Sequence, residues 1–157
     1  MKMLYTRAVL AADHFRADAE GDGHMHTFIA STDSVDRLGE VVTSDGWELD
    51  NFRLNPVILD SHNYTGIENI VGRGEVRETE HGLEVDIRFN ATSRGQLAEQ
   101  LIHEGNLRAT SVGFQSKEMA ENDDGVVQHT KKELLEISVV PVPAQAEALL
   151  VRALSEI

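Results

Sequence analysis

The chain has 157 residues, of which 27 are acidic and 14 basic, so its formal net charge is −13. Nucleic acid is excluded as the expected partner, because a surface of this charge repels a phosphate backbone. The lack of cysteine excludes a disulfide framework, a thiolate metal cluster and a cysteine nucleophile, and it fits a reducing compartment. Apolar runs fall well short of the about 18 residues that a spanning helix needs, and no secretory signal opens the chain, so we expect no membrane partner.

The ordered part of the chain is expected to begin near Thr27 and to form one domain. A hydrophobic content of 41% at this length is typical of a single globular domain with its own core. Before Thr27, Gly21 and Gly23 lie among acidic residues and indicate a loop or a hairpin turn. After it, the sequence TFIAST at 27–32 favours a strand, and a turn at 37–39 leads into another short strand.

Two short elements are predicted next. Trp47 and Phe52 bracket an amphipathic piece that suits a short helix. Pro56 then signals the start of a strand, and the apolar residues 57–59 predict a short buried strand. This strand would deliver His62 just beyond its end.

The clearest patterns lie between residues 70 and 105. Residues 70–90 alternate between apolar and polar side chains on both sides of 80–82, which predicts a β-hairpin. Thr92 or Ser93 can cap a following helix, and Gly105 lies where that helix should end.

The last third of the chain is predicted to contain two strands and a closing helix. The strands occupy 107–121 and 126–144, with a turn at 122–125. The helix covers 144–157, where four apolar residues recur at helical spacing: Ala146, Leu149, Leu150 and Ala153. Because the helices are too few for a parallel βαβ sheet, we expect a β-rich α+β fold, a small and mainly antiparallel β-barrel or sandwich with flanking α-helices.

Ser111 is the candidate nucleophile. A serine that attacks a carbonyl needs a base within hydrogen-bond reach, a group that orients the base, and donors for the oxyanion. Gly113 removes a side chain from the same strand face and lets a substrate carbonyl approach the backbone. By spacing alone, an ordinary strand serine beside a bulge glycine remains the simpler interpretation.

His62 is the candidate base, since a loop position after a buried strand is one at which a functional imidazole is often presented. A surface or capping histidine is the alternative. Glu136 is the candidate acid. Strand alternation places Leu134, Glu136 and Ser138 on one face, and a carboxylate among apolar neighbours needs a partner. The candidate partners of this carboxylate are His62, Arg108 and Lys132.

The remaining histidines give weaker signals. His24 and His26 are spaced for one strand face, as in some metal sites, but no third ligand is near in sequence. Four others are expected at exposed turn or helix positions: His14, His81, His103 and His129. The sequence has no phosphate-binding glycine loop, HExxH or GxSxG pattern, so neither a cofactor nor a metal is predicted.

Three blocks resemble those of tailed-phage prohead proteases. The first is STDSVDRLGEVVTSDGWELDNFRLNPVILDSHNY at 31–64, with a VDR-G-EVV stretch, then NPV-L and a histidine. The second is GNLRATSVGFQ at 105–115, with a serine two residues before glycine and phenylalanine. The third is ELLEISVVPVPAQAEAL at 133–149. The blocks keep the order found in the family, so we divide the chain into an N-terminal segment, 1–26, and a protease domain, 27–157.

The resemblance implies a serine peptidase with a fold related to herpesvirus assemblin, a β-barrel wrapped by helices. The matching residues imply Ser111 as nucleophile and His62 as general base, with Glu136 orienting the imidazole. Asp60 and Glu133 compete with Glu136 for the third role, since assemblin uses a second histidine there.

The resemblance also implies where the protein acts and on what. Expected substrates are the scaffold protein, the N-terminal region of the major capsid protein and the protease itself, inside the immature prohead in the host cytoplasm. Self-association is expected. Many relatives continue into a scaffold-like extension, so a processed form, a truncated form and a separate scaffold protein all stay open. Two rivals are a non-catalytic assembly module with the same fold and a metal-dependent hydrolase built on His24, His26 and His62.

Overall fold

The structure is a computed structural model, which describes residues 4–5, 25–147 and 149–151. Two helices, α1 (Asp50–Leu54) and α2 (Ser93–His103), accompany a 3₁₀ turn at Ile67–Asn69. The strands are β1 (Leu4–Tyr5), β2 (Met25–Thr32), β3 (Val41–Val42), β4 (Trp47–Glu48), β5 (Val57–Asp60), β6 (Ile70–Thr79), β7 (Gly82–Phe89), β8 (Ala109–Glu121) and β9 (Val127–Val140). Among the described residues, no helix has the length and apolar character needed to span a membrane.

The strands form one sheet in the order β1-β8-β9-β5-β6-β7-β2, and β3 and β4 pair with β9 as well. Strands β3, β4 and β5 run parallel to β9, whereas the other pairings are antiparallel. The predicted hairpin at 70–90 is confirmed as β6 and β7, and the predicted strand at 57–59 as β5. Strand β9 therefore lies between β8, which carries Ser111, and β5, which leads to His62.

Helix α2 begins as predicted, because the Thr92 hydroxyl accepts a hydrogen bond from Gly95 N at 3.1 Å. Its buried face joins an apolar cluster that gathers side chains from both helices and from the sheet. Fully buried members include Phe28, Ile87 and Phe114. Burial of each such side chain contributes about 1.5–3 kcal/mol, so this cluster is the main source of stability.

Trp47 lies in β4, and the predicted helix between Trp47 and Phe52 is present only from Asp50 onward. The turn before Trp47 is closed by Lys132, whose side chain is completely buried. Its ammonium donates to Thr43 O at 2.6 Å, to Thr43 Oγ1 at 2.8 Å and to Asp45 O, and lies 5.0 Å from the Trp47 ring centroid. Burial, which disfavours the charged form, lowers the pKa of Lys132 to about 8.

An irregularity in β9 changes which side chains face the core. Gly113 pairs with Glu136 and Phe114 pairs with Leu134, so Leu135 is an extra residue on β9. The prediction that Leu134 shares a face with Glu136 is therefore wrong, and Leu134 is fully buried in the apolar cluster with Ile137.

The closing helix predicted for 144–157 is wrong over the described residues. Leu149 and Leu150 instead form isolated antiparallel bridges with Ala109 and Phe28. Leu150 N donates to Arg108 O at 2.7 Å and Ile29 N donates to Leu149 O at 3.3 Å. The backbone is extended here because strands on both sides offer hydrogen-bond partners. The helical spacing of apolar residues gives no information about such distant partners. Residues 152–157 of the predicted helix lie outside the described part.

These bridges connect two strands that lie far apart in the sheet order. Strands β2 and β8 also meet directly, since the Thr110 hydroxyl donates to Ile29 O at 2.9 Å. The sheet is thus curled into a half-barrel with few helices, which agrees with the predicted β-rich class.

Candidate active site

Register along β8 and β9 places the predicted serine and acid on one face of the sheet. Ser111 lies opposite Ser138, and Gly113 lies opposite Glu136. Side chains of directly opposed residues in an antiparallel pair project from the same face, with their Cβ atoms about 5 Å apart. Ser111, Ser138 and Glu136 therefore share one surface, and Ser111 is only 2% exposed.

Gly113 creates the space that the Glu136 side chain occupies. A Cβ atom at position 113 would lie 2.2 Å from Glu136 Oε1 and 2.9 Å from the Tyr64 hydroxyl. Both separations are shorter than van der Waals contact, so a larger residue would push the carboxylate away. The glycine of the second block is thus needed here for the acid's position.

His62 lies in the turn that follows β5, as predicted. Ser61 and His62 both have left-handed backbone, with φ of 51° and 58°. Such conformations are uncommon for residues other than glycine and persist where the surroundings hold them. Ser61 N donates to Val139 O at 3.0 Å and His62 N donates to the Ser138 hydroxyl at 2.9 Å, so β9 anchors the turn.

The Glu136 carboxylate, 2% exposed, is surrounded by three hydrogen-bonding groups. Its Oε1 contacts His62 Nδ1 and accepts a 3.2 Å hydrogen bond from the Tyr64 hydroxyl. Its Oε2 accepts a 2.8 Å hydrogen bond from the Ser138 hydroxyl. Because a carboxylate only accepts, Nδ1 carries the ring proton and the lone pair of neutral His62 lies on Nε2.

The two other acids considered for orienting His62, Asp60 and Glu133, bind different partners. Asp60 accepts hydrogen bonds from Ser61 and, at 3.0 Å, from Arg94, and Glu133 lies 3.4 Å from Lys117 Nζ. Of the three acids considered from the sequence, Glu136 is the one in contact with the His62 ring.

Sequence reasoning placed Ser138 on the face of Glu136 but gave it no role, and it missed Tyr64. Both lie two residues from a predicted site residue, Ser138 after Glu136 on the strand and Tyr64 after His62 in the loop. The same-face rule for strands placed Ser138 beside Glu136 correctly, and the strand pairing confirms it. No simple spacing rule applies to Tyr64, because it lies in a turn.

An apolar cavity of about 490 Å³ opens beside this group. Tyr64 and Glu136 form part of its wall, and the rest of the wall is mostly aliphatic. The aliphatic residues are Val57, Leu59, Ile67, Ile70 and Leu135. The buried carboxylate therefore lies at the border between a polar network and an apolar recess.

A second serine and histidine lie further along the same strand pair, and a glutamate just before β3 contacts this histidine. His129 Nδ1 is 2.8 Å from the Ser116 hydroxyl, and its Nε2 is 2.9 Å from Glu40 Oε2. The prediction that His129 is exposed is wrong, because its ring is fully buried and makes an edge contact with Phe114. His24 lies outside the described residues, and His26 lies beside α2.

A histidine in contact with a buried acid, whose sheet face also bears a serine, is an arrangement typical of serine hydrolases. The profile of the caudovirus prohead serine protease family matches residues 16–156. The chain therefore belongs to this family, as the resemblance of its three blocks predicted.

Two curated proteins are similar over most of the chain. A prohead protease of Escherichia phage T5 is 33% identical over 76% of this chain and 58% of that protein. A capsid polyprotein of Pseudomonas phage PAJU2 is 33% identical over 78% of this chain and 19% of that protein. The chain thus spans about three fifths of the first relative and one fifth of the second. No solved structure gives a significant match.

Proposed function

We propose that this protein is a serine endopeptidase that cleaves proteins of an assembling phage head, with Ser111 as nucleophile, His62 as general base and Glu136 as the acid that orients it. One observation carries the proposal: Glu136 contacts His62 Nδ1 on the sheet face that also bears Ser111. A serine protease needs this order of groups, because the acid fixes the tautomer that leaves Nε2 able to accept a proton.

In the proposed reaction, Ser111 Oγ attacks the carbonyl carbon of the scissile peptide while His62 Nε2 takes the hydroxyl proton. The tetrahedral intermediate collapses, the C–N bond breaks, and the same proton passes from Nε2 to the leaving amine. Water then attacks the acyl ester with His62 again as base, which releases the acid product and restores Ser111. Backbone N–H groups near Gly113 are the candidates for holding the oxyanion.

Glu136 would stabilise the imidazolium formed in each step, since an opposite charge at contact in a buried site interacts strongly. Tyr64 and Ser138 would keep the carboxylate aimed at His62, because each donates a hydrogen bond to one of its oxygens. Ser138 also accepts from the His62 backbone, so a single hydroxyl ties base and acid together.

The proposed substrates are the scaffold protein, the N-terminal region of the major capsid protein and the protease itself, within the immature prohead. The names of the two phage relatives, a prohead protease and a capsid polyprotein, support this setting. The apolar cavity beside Tyr64 and Glu136 suits an aliphatic substrate side chain. We further propose that the fold is the barrel of herpesvirus assemblin and that the protease self-associates.

The test is co-expression of the chain with capsid and scaffold proteins of its own phage. We expect cleaved products with the wild type and none with Ser111→Ala, since loss of a serine nucleophile typically lowers the rate by about 10⁶-fold. Ser116→Ala is the matched control, because it removes a serine from the same strand beside another histidine. Undiminished cleavage by Ser111→Ala would overturn the assignment, and absence of cleavage by the wild type would favour the non-catalytic assembly module.

A further inference from the structure

We propose that His26, Glu99 and His103 form a binding site for a transition-metal ion of the Zn²⁺ type, which clamps helix α2 to strand β2. Each of these residues offers one ligand atom, and the three atoms lie within 4.8 Å of one another. The site shares no residue with the group of Ser111, His62 and Glu136, and it would act on structure independently of catalysis.

The backbone brings the three side chains together from two elements. Glu99 and His103 are four residues apart on α2, so they project from the same side of the helix. His26 lies in β2, where it pairs with Ile87 of β7. A ligand from the strand and two from one helical turn approach an ion from different directions, which a compact coordination sphere needs.

The distances fit a site that closes by small side-chain rotations. His26 Nε2 lies 3.2 Å from Glu99 Oε1, and the ring centroids of His26 and His103 are 5.1 Å apart. Ligand atoms at about 2.1 Å from a tetrahedral ion are roughly 3.4 Å from one another. The pair of His26 and Glu99 already has about this separation, and the His103 nitrogen, which lies within 4.8 Å of both atoms, has to approach them by at most about 1.4 Å.

The chemistry of the ligands favours zinc over a harder cation. Two imidazoles and one carboxylate form a common zinc ligand set, whereas Mg²⁺ and Ca²⁺ prefer oxygen ligands alone. His26 and Glu99 are each 12% exposed in their side chains, while His103 is exposed, so water can complete the fourth position. The net charge of −13 favours cations near the surface.

A bound ion would stabilise the segment that leads from helix α2 into strand β8. Helix α2 leads through 104–108 to β8, which carries Ser111, and β2 meets β8 through Thr110 and Ile29. Joining α2 to β2 would fix the helix against the strand that supports the start of β8. An ion that binds the folded chain more tightly than the unfolded chain raises the midpoint of thermal unfolding.

The experiment uses the full chain, freed of metal with a chelator and titrated with Zn²⁺ by calorimetry, and with Co²⁺ by visible absorption. We expect one equivalent to bind, the unfolding midpoint to rise, and Co²⁺ to give the bands of a tetrahedral complex. His103→Gln should weaken Zn²⁺ binding by at least about tenfold and remove the Co²⁺ bands, without loss of folding, because His103 is exposed.

His81→Gln is the matched control, since His81 is an exposed histidine 3.0 Å from a glutamate, Glu80. It should bind Zn²⁺ as the wild type does. Absence of saturable binding by the wild type, or equal binding by His103→Gln and the wild type, would overturn the site. Equal losses in His103→Gln and His81→Gln would also overturn it, because they would indicate nonspecific surface binding.

Discussion

Strand β8 supplies the serine of two sets of serine, histidine and glutamate, and the two sets differ in where the histidine is placed. His129 lies within strand β9 with a fully buried ring, held by Ser116 and Glu40. His62 sits in a turn with left-handed backbone, and its side chain is 16% exposed. Hydrogen-bond connectivity alone therefore does not distinguish the proposed catalytic histidine from a histidine packed within a strand. The difference lies in whether the imidazole is presented at the end of a strand or packed within it.

The largest expected difference between the two sets is in kcat, when Glu136→Gln is compared with Glu40→Gln. An amide at position 136 can donate to His62 Nδ1, which favours the wrong tautomer and should lower kcat by about 10⁴-fold. Glu40→Gln should leave kcat within about threefold. Peptide-cleavage kinetics measure both effects, and equal losses in the two variants would remove the functional distinction.

His129→Ala should lower stability, whereas the substitutions in the proposed catalytic set lower activity. The His129 ring fills buried space and makes hydrogen bonds with two partners. The cavity and the lost hydrogen bonds should lower the free energy of unfolding by about 3 kcal/mol. Ser111→Ala should change it by less than about 1 kcal/mol while abolishing cleavage. Denaturant unfolding provides the measurement, and a larger loss in Ser111→Ala would contradict the structural role of the second set.

Lys132 lies opposite Ser116 in the strand pairing. Its titration therefore tests how far water is excluded from the buried side chains around the second set. Its pKa is about 8 in the fold, against the usual 10.5, because burial disfavours the ammonium. Between these values the unfolded chain binds more protons, so the contribution of Lys132 to stability rises with pH. The wild type should gain up to about 3 kcal/mol relative to Lys132→Met from pH 8 to 10.5, measured by unfolding at each pH. A constant difference would show that the ammonium is well solvated.

Gly113→Ala tests the position of the acid while leaving all three proposed catalytic groups in the chain. The added Cβ would press on Glu136 Oε1, and a shift of about an ångström should lower kcat/KM by about 10- to 100-fold. Gly125→Ala is the control, since a Cβ there meets open space although its φ of 77° is strained. Full activity in Gly113→Ala would mean that the carboxylate does not need its present place.

The sequence predicted the elements whose signals are local. The alternation at 70–90 and the cap at Thr92 specify a hairpin and a helix from neighbouring residues, and both are present. The prediction of a closing helix was wrong over the described residues because Leu149 and Leu150 pair with strands more than 35 residues away in sequence. The prediction that Leu134 shares a face with Glu136 was wrong because alternation assumes a regular strand, whereas Leu135 is an extra residue in β9.

The candidate site was predictable to a different extent. Ser111, His62 and Glu136 were named from the three blocks, and their placement on one surface needed the β8–β9–β5 order, which no local pattern encodes. His26 shows the limit most clearly. Its neighbours Glu99 and His103 lie more than 70 residues away, so sequence spacing could not supply the ligands that the fold brings beside it.

The bridges formed by Leu149 and Leu150 protect two sheet edges at once. An uncovered edge exposes a row of N–H and C=O groups on which a strand from another molecule can pair, a route to aggregation. With their backbone seated against Phe28 and Ala109, these two leucines occupy groups on β2 and β8 that another chain could otherwise reach. The two leucines thus act as a built-in partner for backbone groups that would otherwise attract a foreign strand at these positions.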